Sequence, residues 1–202
     1  MGSRSGPFAR QWKNARNNHD GAQRRQATDG TAHFCRGSPL AGGGEVLGKT
    51  VEKIVSGGQT GADRAALDVA FELGFATGGW IPRGRLAEDG VVPQRYKGLV
   101  EADSDRYERR TELNIRDSDA TVVFAFGPPT GGTALTVRLA RSQGKPLLAL
   151  DLEQCTRDEA TARMQKWLAE VGPRVLNVAG PRLSQEPRIA EATATILRAA
   201  LR

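Results

Sequence analysis

Histidine is nearly missing from this sequence. The 202 residues hold two, His19 and His33, and none follows. If the chemistry lies beyond residue 33, a Ser-His-Asp or Cys-His triad is unavailable there, as is a histidine-based metal site. Acid–base work would fall to carboxylates, Lys, Tyr or the ligand itself. Cysteine is as scarce: Cys35 and Cys155 cannot build a disulfide framework or a Cys-rich zinc centre. No metal site is expected, and a cytoplasmic setting is. No apolar run reaches the roughly 18 residues that cross a bilayer. Residues 1–30 contain no apolar core of a secretory signal. No membrane association is expected.

Charge is present but unevenly placed. The chain carries 29 basic and 23 acidic residues, a net +6. Residues 1–50 hold Arg4, Arg10, Lys13, Arg16, Arg24, Arg25, Arg36 and Lys49 against Asp20, Asp29 and Glu45, so most of the excess sits there. That segment lacks hydrophobic periodicity and is rich in Gly, Ser, Asn, Gln and Arg. Such a composition cannot bury enough apolar area to offset chain entropy, so a disordered basic extension is expected over 1–50. An inert extension fits it better than a nucleic-acid-binding arm, since charge runs are usually just solvated. An Arg-rich transit peptide is a third reading, weakened by Asp20 and Asp29.

Residues 51–202 are expected to form one domain. Val51–Ser56 reads as a strand ending at Gly57-Gly58. Over Ala62–Leu73 the apolar positions 62, 65, 66, 69, 70 and 73 fall on one helical face, and Gly74 stops the helix. Phe75–Trp80 reads as a strand, followed by a long Gly/Pro-punctuated loop over Gly78–Gly98. Leu99–Ala102 reads as a short strand. A helix is expected over Ser104–Asp117, with Asp103 or Ser104 as its N-cap. Thr121–Phe126 is the clearest buried strand. Thr133–Gln143, Arg157–Glu170 and Pro187–Leu201 read as helices, Pro146–Leu150 and Arg174–Val178 as strands. This alternation implies βαβ units, a mostly parallel sheet and helices on both faces.

Two glycine-rich turns each join a strand to a helix. The first is Gly57-Gly58-Gln59-Thr60-Gly61-Ala62-Asp63, the second Gly127-Pro128-Pro129-Thr130-Gly131-Gly132-Thr133. A helix head at the carboxyl end of a parallel strand offers unpaired N–H groups and partial positive charge to an anion. Glycine lets the backbone approach closely. Neither turn is a Walker loop or the usual G-x-G-x-x-G fingerprint. On strands expected to neighbour one another, the pair suggests a crevice for a phosphorylated small molecule. Gly57, Gly58, Gly61, Thr130, Gly131, Gly132 and Thr133 would cradle phosphate, while Gln59, Thr60 and Asp63 would contact the ring or sugar. Asp63 reads equally as a helix-dipole group. In the long loop Arg83 or Arg85 could clamp phosphate, and Glu88 and Asp89 are the candidate catalytic carboxylates; a solvated charged loop is the plainer reading. Trp80 is expected to pack in the core, Asn114 and Asp117 to cap backbone groups, and Arg64 and Asp68 to pair along one helix.

The segments IVSGGQTGADRAALD (54–68), GGWIPRGRLAEDG (78–90), ERRTELNIRDSDATVVF (108–124) and GPPTGGTALT (127–136), in this order, resemble the putative molybdenum carrier family. That family lies in the Rossmann-like SLOG superfamily with the Lonely Guy proteins. The resemblance implies a Rossmann-like, doubly wound α/β fold, self-association into a homo-oligomer, and binding of a phosphate-bearing ligand. That ligand would be molybdenum cofactor, a pterin with a terminal phosphate, or a nucleotide. The alternative is a nucleotide N-glycosidase, a phosphoribohydrolase-like enzyme as in the Lonely Guy proteins. Their motif carries a Glu shortly after P-G-G-x-G-T. Thr136 stands at that place here, which counts against the enzyme.

Overall fold

A computed structural model describes residues 51–202. The expected basic extension, with both histidines and Cys35, lies outside the described residues. The strands are β1 (Lys53–Val55), β2 (Ala76–Ile81), β3 (Leu86–Ala87), β4 (Gly90–Val91), β5 (Leu99–Glu101), β6 (Ala120–Ala125), β7 (Leu147–Asp151) and β8 (Val175–Ala179). The helices are α1 (Ala62–Glu72), α2 (Tyr107–Arg116), α3 (Gly131–Ser142), α4 (Arg157–Val171) and α5 (Ile189–Ala200). Six strands form one parallel sheet in the order β5-β2-β1-β8-β6-β7. This is the expected Rossmann-like α/β architecture.

The order dictates the layers. The steps β1 to β2 and β7 to β8 cross the sheet in one direction, and β5 to β6 and β6 to β7 cross it in the other. Right-handed crossovers then place α1 and α4 on one face and α2 and α3 on the opposite one. The contacts agree: α5 packs on both α1 and α4, and α2 packs on α3. The α1/α4/α5 face is the apolar one. Ala66 and Val69, Met164 and Leu168, and Ile196 and Leu197 close over Ile54, Val122, Phe124, Leu176 and Val178. Each large side chain fully buried there contributes about 1.5–3 kcal/mol. The opposite face carries buried polar groups, among them Thr121, Asn177, Asn114, Thr133 and Thr136. Asn177 Nδ2 donates to Thr121 Oγ1 at 3.2 Å.

Three expectations need correction. β1 and β6 are not neighbours, because the C-terminal strand β8 pairs with both and separates them. Residues 78–98 are not one long loop, and the first four of them complete β2. Arg83–Arg85 form a tight turn with Gly84 at φ 80, and β3 and β4 pair antiparallel as a short hairpin with Glu88 and Asp89 at its tip. Helix α2 starts at Tyr107, with Arg106 as N-cap and no side-chain cap bond. Asp103 is drawn instead to Arg109, 3.1 Å away, and Ser104 Oγ accepts from Arg106 N at 3.1 Å.

Candidate functional site

Parallel strands deliver both glycine-rich turns to the same edge of the sheet. Their surroundings differ sharply. Residues 57–61 are all buried. Gly61, at φ +79, has no room for a side chain: a Cβ would lie 2.5 Å from Pro181 O. That oxygen also accepts from Ala62 N at 3.4 Å, and Leu183 N donates to Thr60 Oγ1 at 3.1 Å. The segment between β8 and α5 therefore folds over the head of α1.

Arg110 reaches the same turn from α2, on the opposite face. Its guanidinium lies across Gly57 so closely that a Cβ there would meet Nη1 at 1.3 Å. Nη1 is 3.2 Å from Asp63 Oδ2. Asp63 is 3% exposed and also accepts from Gln59 N at 3.3 Å. Burial pushes the Asp63 carboxyl above the usual aspartate range, against the opposing pull of Arg110. Among the described residues, Arg110 Nε and Gln59 Nε2 are buried donors without a partner. Asp63 thus faces an arginine of its own chain and holds it in place over Gly57.

The two loop carboxylates are also engaged. Glu88 accepts from the hydroxyls of Thr60 and Ser184 and from Ser184 N. Its Oε2 is 3.8 Å from Arg182 Nε. Burial alone would raise the Glu88 carboxyl, but the hydrogen bonds from Ser184 and Thr60 outweigh it and hold it below the usual glutamate range. A general acid at neutral pH would need the opposite shift. Asp89 accepts two bonds from Arg64, at 2.6 and 2.8 Å, and these bonds hold its carboxyl below the usual aspartate range. The expected Arg64–Asp68 pair is therefore absent. Asp68 accepts instead from Tyr96 Oη at 2.9 Å, because a bidentate partner on the hairpin outcompetes a neighbour one turn along the helix.

The second turn is open. Thr130, Gly131 and Gly132 are exposed and Thr133 is buried. Thr130 is the N-cap of α3 and makes no side-chain cap bond. The first intrahelical bond runs from Ala134 N to Thr130 O, so the amides of 131–133 have no helical acceptor. A Cβ on Gly132 would meet nothing within 4 Å, and one on Gly131 only Gln185 Nε2 at 3.9 Å. Both turns thus border the β8–α5 segment, through Leu183 at one and Gln185 at the other. Gly127 N is taken by Asp151 Oδ1 at 2.8 Å. At Thr136, Oγ1 donates to Gly132 O at 3.0 Å, and no carboxylate occupies the place.

Arg83 stands apart. Its N–H donates to Ser104 O at 2.9 Å, its charge acts on Asp103, and no hydrogen bond or ion pair joins it to either turn among the described residues. Asn114 meets its expectation, accepting from Trp80 N at 2.7 Å and donating to Trp80 O at 2.9 Å. Asp117 takes the Trp80 indole N–H at 2.8 Å rather than a backbone group. Sequence reasoning missed Arg110, Arg182 and Tyr107, whose ring centroid is 5.7 Å from the Arg182 guanidinium. Arg110 lies within the ERRTELNIRDSDATVVF segment, which was the available signal; Arg182 had none. Among the described residues no cluster of three or more His, Cys, Asp or Glu could hold a metal, and no helix is long and apolar enough to cross a membrane.

Comparison with known proteins adds to this geometry. The model of the circularly permuted YpsA SLOG family matches residues 54–201. The chain is 44% identical to a solved structure from Syntrophus aciditrophicus SB, described as a putative molybdenum carrier protein. The match covers 76% of this chain and 97% of that one, with a TM-score of 0.74. No curated protein matches.

Proposed function

The chain belongs to the circularly permuted YpsA SLOG family, and from that premise we propose that it is a carrier-type binding protein for a phosphorylated small molecule. The cargo is molybdenum cofactor, a pterin with a terminal phosphate, or a nucleotide. Its phosphate sits on the amides of Gly131, Gly132 and Thr133, with the Thr130 hydroxyl beside it. The observation that carries this reading is the open head of α3: three amides without helical acceptors, an exposed surface and no side chain in the way. Arg110, held over Gly57 by Asp63, adds a cation at the same sheet edge. Self-association and a cytoplasmic setting belong to the same proposal.

Nothing in the geometry favours the glycosidase. Thr136 replaces the expected carboxylate, and Glu88 and Asp89 are bound to Thr60, Ser184 and Arg64. Native mass spectrometry of the purified protein tests the proposal. The expected result is a bound species whose fragments include a phosphate and a pterin or nucleobase. Bound species that all lack phosphate would overturn it.

A further inference from the structure

Residues 180–188, between β8 and α5, reach from one glycine-rich turn to the other. At the first turn the segment is tied by its backbone: Pro181 O accepts from Ala62 N at 3.4 Å, and Leu183 N donates to Thr60 Oγ1 at 3.1 Å. The Glu88 carboxylate, at the tip of hairpin β3–β4, closes this tie. It accepts from the hydroxyls of Thr60 and Ser184 and, at 3.2 Å, from Ser184 N. At the second turn the tie is made by a side chain. The Arg188 guanidinium lies 4.0 Å from the ring centroid of Phe126, the residue before Gly127.

Gln185 sits between these two anchors and directly follows Ser184. Its backbone is held in a turn, with N donating to Arg182 O at 3.0 Å. Its side chain is exposed and makes no hydrogen bond among the described residues. Nε2 stands 3.9 Å from where a Cβ on Gly131 would lie. An uncommitted side-chain amide thus stands beside the open amides of α3. It carries two N–H donors, and hydrogen bonds from such donors to an ionised phosphate are among the strong ones.

We propose that Gln185 is a binding residue for the phosphate at the head of α3, and that Glu88 is its positioning residue, acting through Ser184. Both roles rest on phosphate binding at the head of α3. Gln185 adds a side-chain donor to the backbone donors of Gly131, Gly132 and Thr133. Glu88 belongs to the first turn and holds the chain immediately before Gln185. Its own charge can act on a phosphate only by repulsion, so any help it gives to binding passes through the segment it holds.

Calorimetric titration of the full chain with inorganic phosphate tests both roles. Gln185 is exposed, so Gln185→Ala is expected to fold, and to bind phosphate about tenfold more weakly through loss of one hydrogen bond to a charged group. Glu88→Ala removes a negative charge, and that change alone would tighten phosphate binding. The positioning role predicts the reverse, binding weaker by about threefold or more. Ser184→Ala cuts the same link from its other side and is read in the same way if Glu88→Ala does not fold. With Gln185→Ala already present, Glu88→Ala is expected to cause no further loss. Unchanged affinity in Gln185→Ala would overturn the proposal. So would equal or tighter binding in Glu88→Ala, or a Glu88 effect that persists without Gln185. Gly132→Asp separates these failures from failure of the site itself. Phosphate affinity unmoved by Gly132→Asp, or no measurable binding by the unaltered chain, would remove the site and the role of Gln185 together.

Discussion

Gly79→Ala is expected to lower Tm by roughly 10 °C. Gly79 lies where β2 changes partners: residues 76–78 pair with β1 and residues 79–81 with β5. Its φ is +126°, a conformation that side chains rarely adopt, and a Cβ would lie 2.1 Å from Ser56 O and 2.7 Å from Ser56 N. Both atoms are backbone of the neighbouring strand and cannot rotate away. Backbone strain of about 1–3 kcal/mol adds to overpacking of about 1–3 kcal/mol. For a domain of this size each kcal/mol moves Tm by roughly 2–4 °C. Ser56 adjoins Gly57, so the displacement also reaches the first turn. Differential scanning calorimetry measures the effect; a change below about 2 °C would mean that Gly79 is not held against the Ser56 backbone as described.

The Asp63–Arg110 pair sets the second large effect. Arg110→Met leaves a buried carboxylate without its counter-ion, which costs about 3–5 kcal/mol when that carboxylate is ionised. The dependence on pH follows from the direction of the Asp63 shift. Its carboxyl is raised in the fold, chiefly by burial. A raised group favours folding most below its unfolded range, and that contribution fades as pH rises through its folded range. Removing Arg110 removes the one influence from a charge that opposed the rise. The variant is therefore expected to lose more stability at pH 8 than at pH 5, because lower pH favours the protonated form of a carboxyl whose range is raised. Adding Asp63→Asn, which keeps an acceptor for Gln59 N without a charge, is expected to recover most of the loss. Urea titrations of both variants at the two pH values decide it. An Arg110→Met loss that is independent of pH would show that the pair is not electrostatically coupled.

The elements that were legible in the sequence are those fixed by local pattern. Ala120–Ala125 is buried at all six positions, as expected of a short run that is apolar but for Thr121. Helix α1 carries its apolar face at helical spacing and ends within one residue of the expected place. Contacts made far along the chain were not legible. The position of β8 depends on pairing with strands more than 50 residues earlier in sequence, and no property of VLNVA announces which edges it will join. Arg64 and Asp68 look like a helix pair until a hairpin 25 residues away supplies Asp89. The site divides in the same way. Both turns were recognisable from glycine and threonine between a strand and a helix. That Glu88 fills the first, and that Arg110 crosses it, depends on elements brought together only by the sheet. The composition of the second turn, with Pro128 and Pro129 before Gly131-Gly132, offers no side chain to close it, and the structure leaves it open.

The head of α3 therefore carries the functional account, and Gly132→Asp tests it most directly. A Cβ at 132 meets no neighbour within 4 Å, and a carboxylate in the first turn of a helix favours the helix by about 0.3–1 kcal/mol. The variant is expected to fold with an unchanged or slightly higher Tm. Thermal shifts of both proteins would be read with a panel of nucleoside monophosphates and a phosphorylated pterin. The account predicts that a ligand raising Tm in the unaltered protein loses that effect in the variant, through repulsion between the new carboxylate and the ligand phosphate. An undiminished shift in Gly132→Asp would contradict it and place the ligand elsewhere on the molecule.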